Sequence, residues 1–263
     1  MQNTLSSRLM LGLAQAGIAA AASMVVVFFA RRRNIHLESE LFIALVRGVA
    51  QIVAVGSVLV LLLRGPRWTS GIILAGMMLA AASTSSRRAK VPGAFQVSLY
   101  AIFAGAGSVI ALMTCAHVID SAITALVPVG SMLVANAMNT NSLALNRFKA
   151  DVQSHVGQIE SALALGAGAE QTVTPYVEAS FRASLIPAID SLRSLGIVWI
   201  PGLMAGMVLS GAPPLYSAIY QFVVLAMIFA ASGLTSLIST TLIRKHAFSA
   251  AEQLVLRPEL AAH

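Results

Sequence analysis

The 263 residues are 57% hydrophobic and only 10% charged, with a mean hydropathy of +0.82 and a formal net charge of +7. Soluble domains carry about 25% charged residues, so this composition excludes an ordinary water-soluble fold and points to an all-α integral membrane protein. The positive balance reads as a topological signal, because the aromatic side chains that stack on nucleic-acid strands are missing.

In chain order, the first uncharged run is Leu9–Ala30. It is long enough to cross a bilayer and exceeds the roughly 7–15 apolar residues of a signal peptide, so it reads as an anchor. The second run, 41–63, contains one charge, Arg47. Thr69–Ser86, Ala94–Cys115 and Ser121–Asn146 follow, and Ser194–Ile243 continues without a charge for 50 residues. A helix needs roughly 20 residues to cross about 30 Å of hydrocarbon, so this last run is two spans. Gly211-Ala-Pro-Pro214 divides it, because tandem prolines end a helix. The expected fold is therefore about seven transmembrane helices, at 9–30, 41–63, 69–86, 94–115, 121–142, 195–210 and 215–243. They form a single membrane domain over 1–263 with no internal repeat. Cys115, the only cysteine, has no partner and no metal-site spacing, and reads as a packing residue.

Basic residues orient the spans. Alternating loops place thirteen Lys/Arg on one side (Arg31, Arg32, Arg33, Arg87, Arg88, Lys90, Arg147, Lys149, Arg182, Arg193, Arg244, Lys245, Arg257) and three on the other (Arg8, Arg64, Arg67). The N-terminus is expected outside and the C-terminus in the cytoplasm.

The stretch 143–193 is the one long polar interval, with nine of the 27 charged residues. Val152, Val156, Ile159, Leu163 and Gly166 repeat at spacings of four, three, four and three, an apolar stripe opposite Asp151, Gln153, Gln158 and Glu160. Gly166-Ala-Gly168 breaks this helix, and Val173, Val177, Phe181, Leu185 and Ala188 mark a second one. A cytoplasmic helix-turn-helix of this kind docks on a soluble partner or rests on lipid as an interfacial amphipathic helix.

Enzyme chemistry is not legible. No G-x-x-x-x-G-K-[ST] loop is present to hold ATP phosphates, and His36, His117, His155, His246 and His263 are scattered without metal-ligand spacing. Any energy source must therefore be a separate subunit. Arg47 and Gln51 share one face of the second span, and a charge within a span either faces the bundle interior or snorkels to the interface. Pro128 with Asn136, Asn139 and Asn141 marks the fifth span as broken or hydrogen-bonded. Met132, Met138, Met204 and Met207 are core residues or soft thioether donors.

Arg47-x-x-x-Gln51, Pro128-x-x-x-Met132 with Asn136-Ala-Met138, Glu160-x-x-Leu163-x-Leu165-Gly166-Ala167, Arg182-Ala-x-Leu-Ile-Pro187-x-x-Asp190-Ser191 and Pro201-Gly202-x-Met204-x-Gly206 occur in this order. Together they resemble the permeases of FetB-type iron-export ABC transporters, which are related to plant aluminium-tolerance ABC permeases. The likeness runs from about residue 40 to 245. It implies a bacterial inner-membrane permease exporting iron or a related metal-stress substrate, with a nucleotide sugar as the non-metal alternative. The motor would be two copies of a P-loop ATP-binding subunit. ATP and magnesium would be held there, and this chain would carry no cofactor. The resemblance places Glu160, Leu163, Leu165, Gly166, Ala167 and Arg182 at the ATPase contact. A two-fold motor calls for two copies of this chain. Candidate pathway residues are Arg47, Gln51, Met132, Asn136, Met138, Asp190 and Met204. The competing class is a non-transporting scaffold or regulator that recruits an ATPase, and an autonomous channel is a third reading.

Overall fold

Backbone N–H and C=O groups that leave water for lipid must pair within their own segment, and the long apolar runs of this chain do so as helices. The computed structural model describes residues 2–33, 38–62, 66, 68–249 and 253–256. In order these form α1 (Gln2–Arg31), α2 (Glu38–Leu62), α3 (Thr69–Ala89), α4 (Ala94–Ile102), a π-helical turn (Phe103–Gly107), α5 (Ser108–Cys115), α6 (Ile123–Ser154), α7 (Val156–Ala164), α8 (Ala169–Ser194), α9 (Gly202–Leu209) and α10 (Pro214–Ile243). Among the described residues there is no strand, only isolated bridges from Leu195 to Trp199 and from Phe248 to Leu254. Arg64, Arg67 and Arg257, which entered the charge count, lie outside the described residues.

The chain divides into two compact units, Met1–Gly65 and Pro66–His263. In the first, α1 and α2 face each other across an apolar groove of about 730 Å³ lined by Ala16, Ala20, Phe42, Val46 and neighbours. Arg31 and Glu38 pair at 3.5 Å where the two helices meet.

In the second unit α6 packs against α3, α8 and α10. One core cluster includes Leu74, Met78, Ile102, Leu133, Val224 and Ile228, and a second includes Phe148, Val152, Ile159, Val173, Ile243 and Leu254. The backbones of the π turn and α10 approach so closely at Gly105 that an added Cβ would strike Thr235, which is why only glycine fits there. Some of the buried polar groups pair with one another. Asn141, fully buried on α6, donates through Nδ2 to Ser85 Oγ (2.7 Å) and Ser98 Oγ (2.8 Å), tying α6 to α3 and α4.

Among the described residues, five helical stretches are long and apolar enough to cross a membrane: Met10–Arg31, Thr69–Ala89, Ala94–Cys115, Ile123–Ser154 and Pro214–Ala247. Helix α2 adds a shorter apolar stretch, Leu41–Val55. The expected span at 195–210 takes a different form. Its only helix is α9, eight residues long, which at 1.5 Å per residue reaches about 12 Å and cannot cross hydrocarbon alone. Leu195 turns out of the helical region at ψ 126°, Gly196 N–H donates to Trp199 O (3.1 Å), and Pro201 in extended backbone precedes α9. The segment α8, turn, α9 is thus a discontinuous helix. Its first half, which the sequence places wholly in the cytoplasmic segment, packs on α6 and α10, with Ser184 and Ser236 hydroxyls 2.7 Å apart. Its carboxyl end reaches the first core cluster through Leu192 and Leu195.

The two ends of this unit differ in charge. Lys149 Nζ donates to Lys90 O (3.1 Å), Arg88 Nη1 to Asn139 Oδ1 (3.4 Å), and Arg244 Nη2 meets Glu170 Oε2 at 3.0 Å. The opposite end, built from 114–129 and 207–220, contains no lysine or arginine. Cys115 ends α5 there and is exposed, so it is not the packing residue that the sequence suggests.

Candidate functional site

Two features stand out, a projecting helical turn at the basic end and a pair of cavities toward the other. The turn begins with α6, whose 32 residues extend about 48 Å, well beyond a hydrocarbon core. It breaks at His155 (φ −119°, ψ 23°), whose ring stacks on Tyr176 with centroids 5.0 Å apart. The single helix that the apolar stripe from Val152 to Gly166 predicts is therefore interrupted at one residue, His155. Helix α7 then closes in a Schellman motif, with Ala167 N–H bonded to Ala162 O (3.0 Å) and Gly166 N–H to Leu163 O (2.9 Å). That motif needs a left-handed residue, and Gly166 supplies it at φ +89°. Nothing lies within 4 Å of where its Cβ would be, so conformation and not space demands glycine.

The six residues assigned to the motor contact divide by exposure. Leu165 is 89% exposed at the tip, an unusual position for leucine outside lipid. Glu160 on α7 and Arg182 on α8 are exposed, and Ala167 is half-buried in the turn. Leu163 points inward and packs against the second core cluster, so it holds the turn in place.

Of the pathway candidates, Met132 and Asn136 come together. They line a cavity of about 170 Å³ with Ser191 of α8, Trp199 and Pro201 of the turn, Gly202 and Leu203 of α9, and Gln221 of α10. A larger cavity of about 600 Å³ lies toward the opposite end, lined by His117, Asp120, Thr124, Pro128, Met207, Tyr216, Tyr220 and others. Leu203 lines both cavities. Asp120 Oδ1 accepts from Ala122 N–H (3.0 Å), fixing the loop that enters α6.

Within the second unit, the structure does not bring Met138, Asp190 or Met204 to these cavities. Arg47 and Gln51 are exposed within the first unit. Met138 packs against the first core cluster, Asp190 is exposed and paired with Arg193 at 4.0 Å, and Met204 is half-buried on α9. Sequence reasoning passed over Gln221, Leu203 and the tyrosine pair. Gln221 had a signal, since it is the only amide side chain in the uncharged run 194–243. Leu203 had none, because a leucine in an apolar helix is unremarkable until its neighbours are known.

The profile of the uncharacterised protein family UPF0014 matches residues 13–248. The chain is 32% identical over 244 residues to the UPF0014 membrane protein STAR2 of Oryza sativa subsp. japonica, covering 91% of this chain and 84% of that one. It is 31% identical over 241 residues to the protein ALUMINUM SENSITIVE 3 of Arabidopsis thaliana, covering 89% and 88%. It is 28% identical over 235 residues to the probable iron export permease protein FetB of Escherichia coli strain K12, covering 89% and 91%. No solved structure matches it. The profile spans nearly the whole chain, and with relatives above 30% identity over most of their length it shows that this membrane protein belongs to the UPF0014 family.

Proposed function

We propose that this chain is the permease subunit of an ABC transporter that exports iron or a related metal ion, powered by a separate P-loop ATP-binding subunit. The observation that carries the reading is the pairing of a rigid, glycine-closed turn with an exposed leucine tip at the basic end and a chain of two cavities leading to the other end. A scaffold needs the turn but has no use for cavities. Relatives named as an iron export permease and as an aluminium-sensitivity protein support a metal substrate.

In this reading the basic end faces the cytoplasm by the positive-inside rule, the N-terminus and the Asp120 cavity face outward, and the bacterial plasma membrane holds the chain. Residues 1–263 act as one permease domain. Two copies surround the pathway, because two ATPase subunits form a two-fold motor. ATP and Mg²⁺ bind the motor. Closure of the motor pushes on Leu165 and Glu160, and α8 carries the displacement to the turn at 195–201. Arg182 and Ala167 flank the same contact, while Arg47, Gln51, Met138, Asp190 and Met204 would border the pathway only in the two-copy assembly.

The test is reconstitution. The purified chain and its P-loop subunit in proteoliposomes should move Fe²⁺ only with hydrolysable ATP. Flux without the ATPase would make the chain a channel, and ATPase recruitment without flux of any metal would make it a scaffold.

A further inference from the structure

The loop between α5 and α6 puts an imidazole and a carboxylate on the wall of the cavity of about 600 Å³. Helix α5 ends in a Schellman motif, with Val118 N–H bonded to Met113 O (2.9 Å) and His117 N–H to Thr114 O (3.1 Å). The left-handed position of that motif, where glycine is usual, is His117 at φ +56°. Ile119, 1% exposed, anchors the loop in the first core cluster. Asp120 follows, with Oδ1 accepting from Ala122 N–H at 3.0 Å while Oδ2 takes no part in that bond. The loop is thus held by its own backbone bonds and one buried side chain, and its two polar residues on either side of Ile119 line the cavity.

Charge and donor type select the ligand. Asp120 is the one lining residue with a formal charge, and neither lysine nor arginine lines the cavity, so a cation is favoured there and an anion is not. Hydroxyls do not decide the sign, because those of Ser121, Thr124, Tyr216 and Tyr220 can donate as well as accept, and only the Thr114 proton is committed, to Ile110 O (2.8 Å). Neutral imidazole offers one nitrogen lone pair and one N–H. A nitrogen donor beside a carboxylate suits a transition-metal ion better than Mg²⁺ or Ca²⁺, which prefer oxygen alone. Volume adds that the ion keeps water, since each water occupies about 30 Å³ and this cavity has room for a full hydration shell.

We infer that this cavity is a docking site for a hydrated divalent transition-metal cation, received by the His117 imidazole and the Asp120 carboxylate. The inference rests on the permease reading and gives it an ion site at the end away from the basic residues. Among the described residues no three of His, Cys, Asp and Glu converge. Two protein groups leave most of the ion's water in place, with the surrounding hydroxyls bonded to that water, so the site passes an ion on and does not store it.

Mn²⁺ binding to the purified permease in detergent, followed by loss of its free EPR signal, tests the site without the motor. Asp120→Asn keeps an oxygen for Ala122 N–H and removes the charge; it should weaken binding tenfold or more. His117→Gly places the favoured residue at the left-handed position, so it should melt no lower than wild type while binding Mn²⁺ several times more weakly, a combination that a purely structural role does not produce. Binding that either substitution leaves unchanged, or no binding by the wild type, overturns the inference. Displacement of Mn²⁺ by equimolar tetramethylammonium overturns the metal assignment, because an organic cation fits the same volume. Metal flux in the reconstituted complex separates the two readings. ATP-driven flux that Asp120→Asn and His117→Gly leave intact at low metal concentration overturns the site while the permease stands. Asp120-dependent Mn²⁺ binding in a complex that moves no metal upholds the site and removes the permease reading.

Discussion

The Arg244 guanidinium lies 3.0 Å from the Glu170 carboxylate, joining the carboxyl end of α10 to the first turn of α8. Both side chains are partly exposed, at 34% and 47%, so the pair contributes only about 0.5 kcal/mol to stability. If α8 carries motion in the proposed transporter, this pair links it to α10, the helix that bears Gln221. Glu170→Gln is expected to leave unfolding in detergent within about 1 kcal/mol of wild type while lowering ATP-driven flux severalfold. Unchanged flux would show that α8 and α10 move together without this link.

Gly166→Val is expected to leave insertion unchanged and to lower thermal stability modestly while weakening co-purification of the ATP-binding subunit. The cost, about 1–3 kcal/mol of backbone strain at φ +89°, falls on a turn that touches little else. Gly166→Asn, which tolerates the left-handed region, should retain coupling. If Val and Asn variants couple alike, the Schellman turn is not the transmitting shape.

Leu165→Asp should abolish ATPase recruitment without lowering stability, since the side chain is 89% exposed and holds nothing in place. Leu163→Asp should instead destabilise the protein, because that side chain packs against the Phe148 and Val152 cluster. Thermal melts and pull-down of the ATP-binding subunit read the two effects separately, and a stable Leu163→Asp protein would contradict the packing described.

Asn141→Ala removes two hydrogen bonds at once and leaves the Ser98 hydroxyl without its partner, while Ser85 keeps the bond from Ser142 Oγ (3.1 Å). It is expected to cost about 1–3 kcal/mol, seen as a lower detergent melting temperature. An unchanged melting temperature would contradict the buried bonds described.

Orientation is checked by labelling. In a Cys115→Ser background, cysteines at 66 and 212 should react with an impermeant maleimide from outside and one at 150 should not. The native Cys115, exposed at the end of α5, should itself react from outside, and the reverse pattern would invert the topology.

Much of the molecule is legible in one dimension, because lipid imposes a simple rule. Runs without charge become helices over most of their length, and Arg88, Lys149 and Arg244 gather at one end of the second unit. The glycine-closed turn is legible too, since Gly166 follows an apolar stripe of helical period. Each of these is a local relation between a residue and its near neighbours. What the tertiary structure alone decides is where distant segments meet. Composition makes 195–210 a span, yet Pro201 and the turn closed by Gly196 and Trp199 shorten its helix, and α8 completes it because Ser184 and Leu192 find α10 and the first core cluster. Met132 and Met138 look alike in sequence, but six residues along α6 turn one toward a cavity and the other into the core. Gln221, 85 residues from Asn136, joins the same cavity only through the packing of α10 on α6. An unpaired buried oxygen is a property of that packing, and no periodicity in the chain announces it.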